Sequence, residues 1–207
     1  MATSKNKRTP SARSSEPILA PANAAKWHDW LRAHHARSSG VLLRIPKTGK
    51  SNLSYASALD AALAWGWIDS QKRALDDSAW LQRFTPRRPG SPWSKINCAK
   101  AEALIAMQRM EAPGFAEIAR AKKDGRWARA YEGAKSATVP DDFAEALRKK
   151  PRAQAFFATL DAANRYAILY RLKTAKLPET RARRVAAYVA LCAEQKTLHP
   201  ARKKSAR

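Results

Sequence analysis

Gly66–Asn97 reads GWIDSQKRALDDSAWLQRFTPRRPGSPWSKIN, and this stretch decides the fold. Trp67 to Arg73 and Trp80 to Thr85, each opening on a tryptophan, are two short runs closed around Leu75, Asp76 and Asp77, which predicts a β-hairpin. If residues whose numbers sum to 152 face each other, Asp69 meets Arg83 and Trp67 meets Thr85. Side chains alternate along a strand, so Trp67, Asp69, Leu81, Arg83 and Thr85 are then expected on one face and Ile68, Trp80 and Phe84 on the other. A slip of one residue reverses every one of these assignments. Past the hairpin, Arg87-Arg88 leads into Ser91-Pro92, a helix start with proline at its first position. Ser94 with Asn97 forms a second cap one turn later.

Working outward, the preceding chain alternates between helix and strand patterns. Trp27, Trp30, Leu31 and His34 lie at helical spacing within Ala24–Ala36. Val41–Ile45 is a short apolar run suited to a buried strand, and Pro46, Lys47, Gly49 and Lys50 make a basic loop. Ser54 caps a helix through Trp65, with Tyr55, Leu59, Ala62 and Leu63 as its buried stripe and Gly66 as its terminator. Downstream the pattern is helical throughout, with helices expected near 94–110, 114–123, 141–149, 151–159, 161–173 and 179–194. Pro113, Gly125, Pro140, Pro151 and Pro178 punctuate them. The fold class expected is α+β, a small antiparallel sheet packed by helices in the N-terminal half followed by a helical C-terminal half. Residues 1–17 and 200–207 read as disordered basic tails, 18–95 as an α+β subdomain and 96–199 as a helical subdomain.

With 207 residues, 45% of them hydrophobic, the chain can bury one substantial core or two small ones. Its formal charge is +23, and +16 remains once the two tails are set aside, so the folded part is itself basic. Such a charge attracts polyanions at low salt without conferring specificity. In the last helix, Arg181, Arg183 and Arg184 crowd the first turn, where each cation opposes the macrodipole by ~0.3–1 kcal/mol. An anion or an acidic partner would offset that cost. Cys98 and Cys192 are too few and too far apart for a disulfide framework, and read as free thiols in a reducing compartment. The opening residues lack the apolar core of a secretory signal, and no apolar run is long enough to span a membrane. A cytoplasmic protein is expected.

The segments LSYASALDAALAWGWIDS, RFTPRRPGSPWSKIN, AKKDGRW and AKLPETRARRV resemble, in order and spacing, the YdeI/OmpD-associated family, also called bacteriocin-protection proteins. The resemblance runs from about Trp27 to Leu191. That family usually carries Cys-Phe before GWID, where this chain has Ala64 and Trp65, so no thiol chemistry transfers to those positions. The resemblance implies a role in stress or envelope tolerance and brings no established catalytic activity with it.

The candidate ligand-facing surface is therefore the hairpin and the turn after it: Trp67, Asp69, Arg83, Thr85, Arg87, Arg88, Ser91, Trp93, Ser94 and Asn97. Tryptophans can stack a ligand, a carboxylate beside a guanidinium forms charge-assisted bonds, and N–H groups at a helix start bind phosphate or carboxylate. Each also has an ordinary structural reading as core, cross-strand pair and capped turn. Three function classes fit: a non-enzymatic binding protein for an anionic small molecule or acidic protein, a nucleic-acid-binding module, and an enzyme acting on an anionic small molecule through Asp69, Arg83 and Arg87. For the second there is no helix-turn-helix or RNA-binding signature, so nonspecific nucleic acid binding is the expectation. His28, His34, His35 and His199 show no metal-ligand spacing, and no cofactor motif is present.

Overall fold

The computed structural model describes residues 16–47, 53–134, 136–175 and 177–200, so both predicted tails, apart from their innermost residues, and most of the basic loop lie outside the described residues. The chain divides into two compact units. One comprises the residues up to Ser91 together with Ala99–Asp124, the other Pro92–Cys98 together with the residues from Gly125 on. The boundary expected at 95/96 falls inside the short segment 92–98.

The first unit is built on a four-stranded sheet of order β1-β2-β4-β3, with β1 at Ile18–Leu19, β2 at Val41–Pro46, β3 at Trp67–Ala74 and β4 at Ala79–Pro86. β2, β4 and β3 are antiparallel as expected, and the two-residue β1 adds a parallel edge. Helix α1, Ala24–His34, starts where the Asn23 side chain accepts the Lys26 N–H, and it buries Trp27 and Leu31 one turn apart. Helix α2, Tyr55–Ala64, starts at a capping box formed by Ser54 and Ser57 and buries six of its ten residues. Gly66, at φ +71°, supplies the left-handed residue that ends it.

These helices put Trp27 against the sheet, 5.7 Å from Phe84 and 6.4 Å from Trp67. The Trp27 indole N–H also donates to the Ala58 carbonyl at 3.0 Å, fixing α1 on α2. Val41, Leu43, Ile45 and Phe84 are fully buried, each contributing roughly 1.5–3 kcal/mol of burial. Helices α3, Lys95–Ala106, and α4, Ala112–Lys123, follow. The α4 residue Gly114 sits so close to the end of α2 that a Cβ there would lie 2.3 Å from the Ala64 carbonyl oxygen.

The second unit contains α5 at Asp141–Arg148, α6 at Pro151–Thr159, α7 at Ala162–Lys173 and α8 at Pro178–Ala193. Phe143, Leu147, Phe157, Ile168, Leu169, Leu172 and Cys192 form its core, and α8 packs against α5, α6 and α7. The segment 92–98 joins this unit through Tyr131, whose N–H donates to the Trp93 carbonyl at 2.9 Å and whose carbonyl accepts the Lys95 N–H at 2.8 Å. Helix boundaries agree with the sequence expectation to within about two residues, except that α3 ends at Ala106 and not near 110.

Candidate functional site

The hairpin forms in a register one residue away from the expected one. Asp69 lies opposite Phe84, Ile68 opposite Thr85 and Trp67 opposite Pro86, and a bulge between Asp69 and Lys72 shifts the rest. Directly opposed residues share a face, so Trp67, Asp69 and Phe84 are together on the helix-covered side and Arg83 is on the other. The expected Asp69–Arg83 pair is thereby overturned. Asp69 instead accepts the Tyr55 hydroxyl at 2.7 Å, from α2. Arg83 grips Glu16, with Nε 2.9 Å and 2.7 Å from the two carboxylate oxygens and Nη2 also bonded to Oε1. Those hydrogen bonds hold the Glu16 carboxyl below its ordinary range and raise Arg83, against a smaller opposing effect of burial.

Trp67 is core, 1% exposed, with its indole N–H directed to the His35 carbonyl at 3.3 Å. Thr85 is buried. Arg87, 5% exposed, donates its backbone N–H to the Gly66 carbonyl at 3.0 Å. Arg88 is exposed and opens a turn closed by Ser91, whose N–H donates to the Arg88 carbonyl at 2.9 Å and whose hydroxyl accepts the Arg88 N–H at 3.0 Å.

Ser91-Pro92 is therefore not a helix start, which corrects the first of the two expected caps. The helix begins after Ser94, whose hydroxyl accepts the Asn97 N–H at 3.1 Å, so the second cap is the one used. Trp93, Ser94 and Asn97 are buried members of the second unit, while the other seven candidates belong to the first. Trp93 lies 4.8 Å from Trp127 within its own unit.

A site the sequence reading missed lies in the second unit, where α5 and α8 enclose an open groove of about 860 Å³. Ala146 on α5 and Ala182, Val185, Ala186, Val189, Ala190 and Ala193 on α8 form its floor, with Lys149, Lys150, Arg181, Asp142 and Glu194 at its edges. Ala182, Ala186 and Ala190, spaced four apart, are exposed, so α8 carries apolar residues around more of its circumference than the core stripe Val185, Tyr188, Val189 and Cys192 requires. That excess width was the one signal in the sequence, and it marks a second apolar face without showing that the face lines a groove.

The edges of the groove are held by charge. Arg181 donates to both oxygens of Asp142, at 2.6 Å and 2.8 Å, and to the Leu172 carbonyl at 2.9 Å. Arg184 donates to the Arg171 carbonyl. Both carbonyls are among the last four of α7, which have no partner within their own helix. The cost of placing cations at the start of α8 is thus offset internally by Asp142 and by the negative end of α7. The Arg181 hydrogen bonds hold the Asp142 carboxyl below its usual range.

Beside the groove unit's core, Tyr166 donates to the Glu132 carbonyl at 3.0 Å and stands near Tyr170 and Tyr131; burial pushes its phenol up to about 12. The Glu132 carboxylate takes Lys95 at 2.9 Å and Lys173 at 3.4 Å. Cys98 and Cys192 are buried, and burial raises the Cys192 thiol. Among the described residues no cluster of His, Cys, Asp or Glu is arranged to hold a metal, and no helix is long and apolar enough to cross a membrane.

Fold and groove together define an α+β chain with an apolar cleft in its helical unit. Residues 136–195 match the family model described as Bacteriocin-protection, YdeI or OmpD-Associated, in line with the resemblance read from the sequence. Residues 19–117, which carry the GWID and RFTPR motifs, match a domain of unknown function, DUF8412. No curated protein and no solved structure matches the chain.

Proposed function

We propose that this protein is a non-enzymatic binding protein whose helical unit docks a segment of a partner protein in the α5–α8 groove. One observation carries the reading: every residue lining the groove, from Asp142 to Glu194, falls inside the segment matched by the bacteriocin-protection family model. An apolar floor with charged edges is the composition expected of a surface for a folded peptide segment. The family's description speaks of bacteriocin protection and OmpD association. Carried to this chain, that description supports a role in bacteriocin or envelope tolerance; a cytoplasmic location and a wider stress role are part of the proposal.

The anion site expected at the Arg87–Ser94 turn loses its main support, because the N–H groups of a helix start do not follow Ser91. The groove replaces it as the site to test. A photo-reactive amino acid at Ala186, in the groove floor, is compared in cells with one at Ala187, which is also exposed and does not line the groove. A discrete protein adduct from position 186 and none from 187 is the expected result. Equal labelling from both positions would remove the groove from consideration.

A further inference from the structure

Resting on the groove as the docking site, we infer that its occupant is an acidic amphipathic α-helix lying lengthwise along α8. The lining residues along α8 and its C-terminal cap run from Pro178 to Glu194, a span of about 24 Å at the helical rise, the length of roughly four and a half turns. Both walls are α-helices. Their interior backbone groups are bonded within each helix, so they offer no strand edge to an extended peptide. An occupant must satisfy its own N–H and C=O groups while burying apolar side chains, and a helix does this. The exposed Ala182, Ala186 and Ala190 form a shallow track with Val185 and Val189 beside it. Small residues at such positions let a second helix approach at the near end of the ~8–10 Å interaxial range.

Charge selects the occupant's chemistry. Arg148, Lys149, Lys150 and Arg152 are four exposed cations within five residues at the α5–α6 junction, and Lys149 and Lys150 line the groove directly. Lys149 pairs with Glu145 at 2.8 Å, Lys196 with Glu194 at 2.7 Å and Arg181 with Asp142, pairs that cancel in charge, so the excess positive charge of this edge comes from Arg148, Lys150 and Arg152. Facing groups that carry Asp or Glu complement this edge. A second copy of this chain would bring the same cations and a formal charge of +23 against itself, which argues against self-association here.

The test uses the full chain and a display library of 18-residue helical peptides with randomised surface positions, selected on the wild type and counter-selected on Ala186→Trp. Ala186 is exposed, and a thermal melt confirms that the variant is folded. Enriched peptides are expected to carry apolar residues at i, i+4 and i+7 with Asp and Glu flanking them. Lys149→Glu with Lys150→Glu should weaken the best peptide about tenfold, since Lys150 is reversed and Glu145 loses its partner, which turns this edge of the groove negative. Groove-dependent peptides without acidic flanks, equally bound by the double-charge variant, would sink the acidic helix and leave the groove reading intact. If no peptide distinguishes wild type from Ala186→Trp, both fail. Binding of scrambled acidic peptide or duplex DNA as tightly as the selected helix would show attraction by charge alone and overturn the inference.

Discussion

Arg83 is claimed by Glu16, sixty-seven residues away in sequence, and not by the carboxylate on its neighbouring strand. Asp69 and Arg83 are close along the hairpin yet on opposite faces, because the register places Asp69 opposite Phe84. A bidentate pair with both side chains about a quarter exposed should couple by ~0.5–2 kcal/mol. A double-mutant cycle of Glu16→Gln and Arg83→Gln, read by urea unfolding at neutral pH, is expected to show that coupling. Asp69→Asn with Arg83→Gln should be additive within ~0.5 kcal/mol. The pH dependence has a definite sign. Glu16 has a depressed folded pKa, so its contribution is present above its unfolded value of ~4.3 and disappears as pH falls through the lower folded value. Coupling between Asp69 and Arg83, or a Glu16–Arg83 coupling unchanged at the lowest pH at which the protein stays folded, would refute the assignment.

At the scale of elements, the start of α3 separates two serines that read alike in sequence. Ser94 accepts the Asn97 N–H and is buried, so Ser94→Ala should cost about 1 kcal/mol, the usual loss of a cap. Ser91 accepts the Arg88 N–H in a turn and caps no helix, so Ser91→Ala should cost less than Ser94→Ala. Equal losses in chemical denaturation would mean that the helix starts where Pro92 first suggested. The contrast shows what sequence makes legible. Helices α1, α2 and α7 announce themselves through Asn23, Ser54 and Asp161, each of which accepts an N–H three residues on, and Pro178 marks the start of α8 as plainly. Strand runs such as Val41–Pro46 are equally visible. Register was not legible, because the bulge between Asp69 and Lys72 leaves the alternating pattern intact while moving its partner strand. The groove was not legible either. Alanines at 182, 186 and 190 suit a buried face or an exposed one equally well, and only the placement of α5 beside α8 turns them into the floor of a cleft.

For the molecule as a whole, the governing quantity is the formal charge of +23, most of it outside the terminal tails. Cations spread over a chain this way attract phosphate backbones from every direction, and the released counterions make the affinity fall steeply with salt. The same charge supplies no means of reading bases, since the cluster at the α5–α6 junction borders an apolar groove that suits side chains rather than a duplex. Duplex DNA is therefore expected to bind weakly near 150 mM salt (roughly physiological ionic strength), with no preference among sequences of equal length. Removing residues 1–15 and 201–207 should reduce both the affinity and the slope of log K against log salt. Ala186→Trp should leave DNA binding unchanged while abolishing binding of a groove peptide. That independence separates diffuse attraction from the docking site, because a polyanion follows total charge whereas a helix in the cleft follows the shape of α8. Tight, sequence-selective binding by the tail-deleted chain at physiological salt, or its loss in Ala186→Trp, would make nucleic acid the principal ligand and the groove part of its interface.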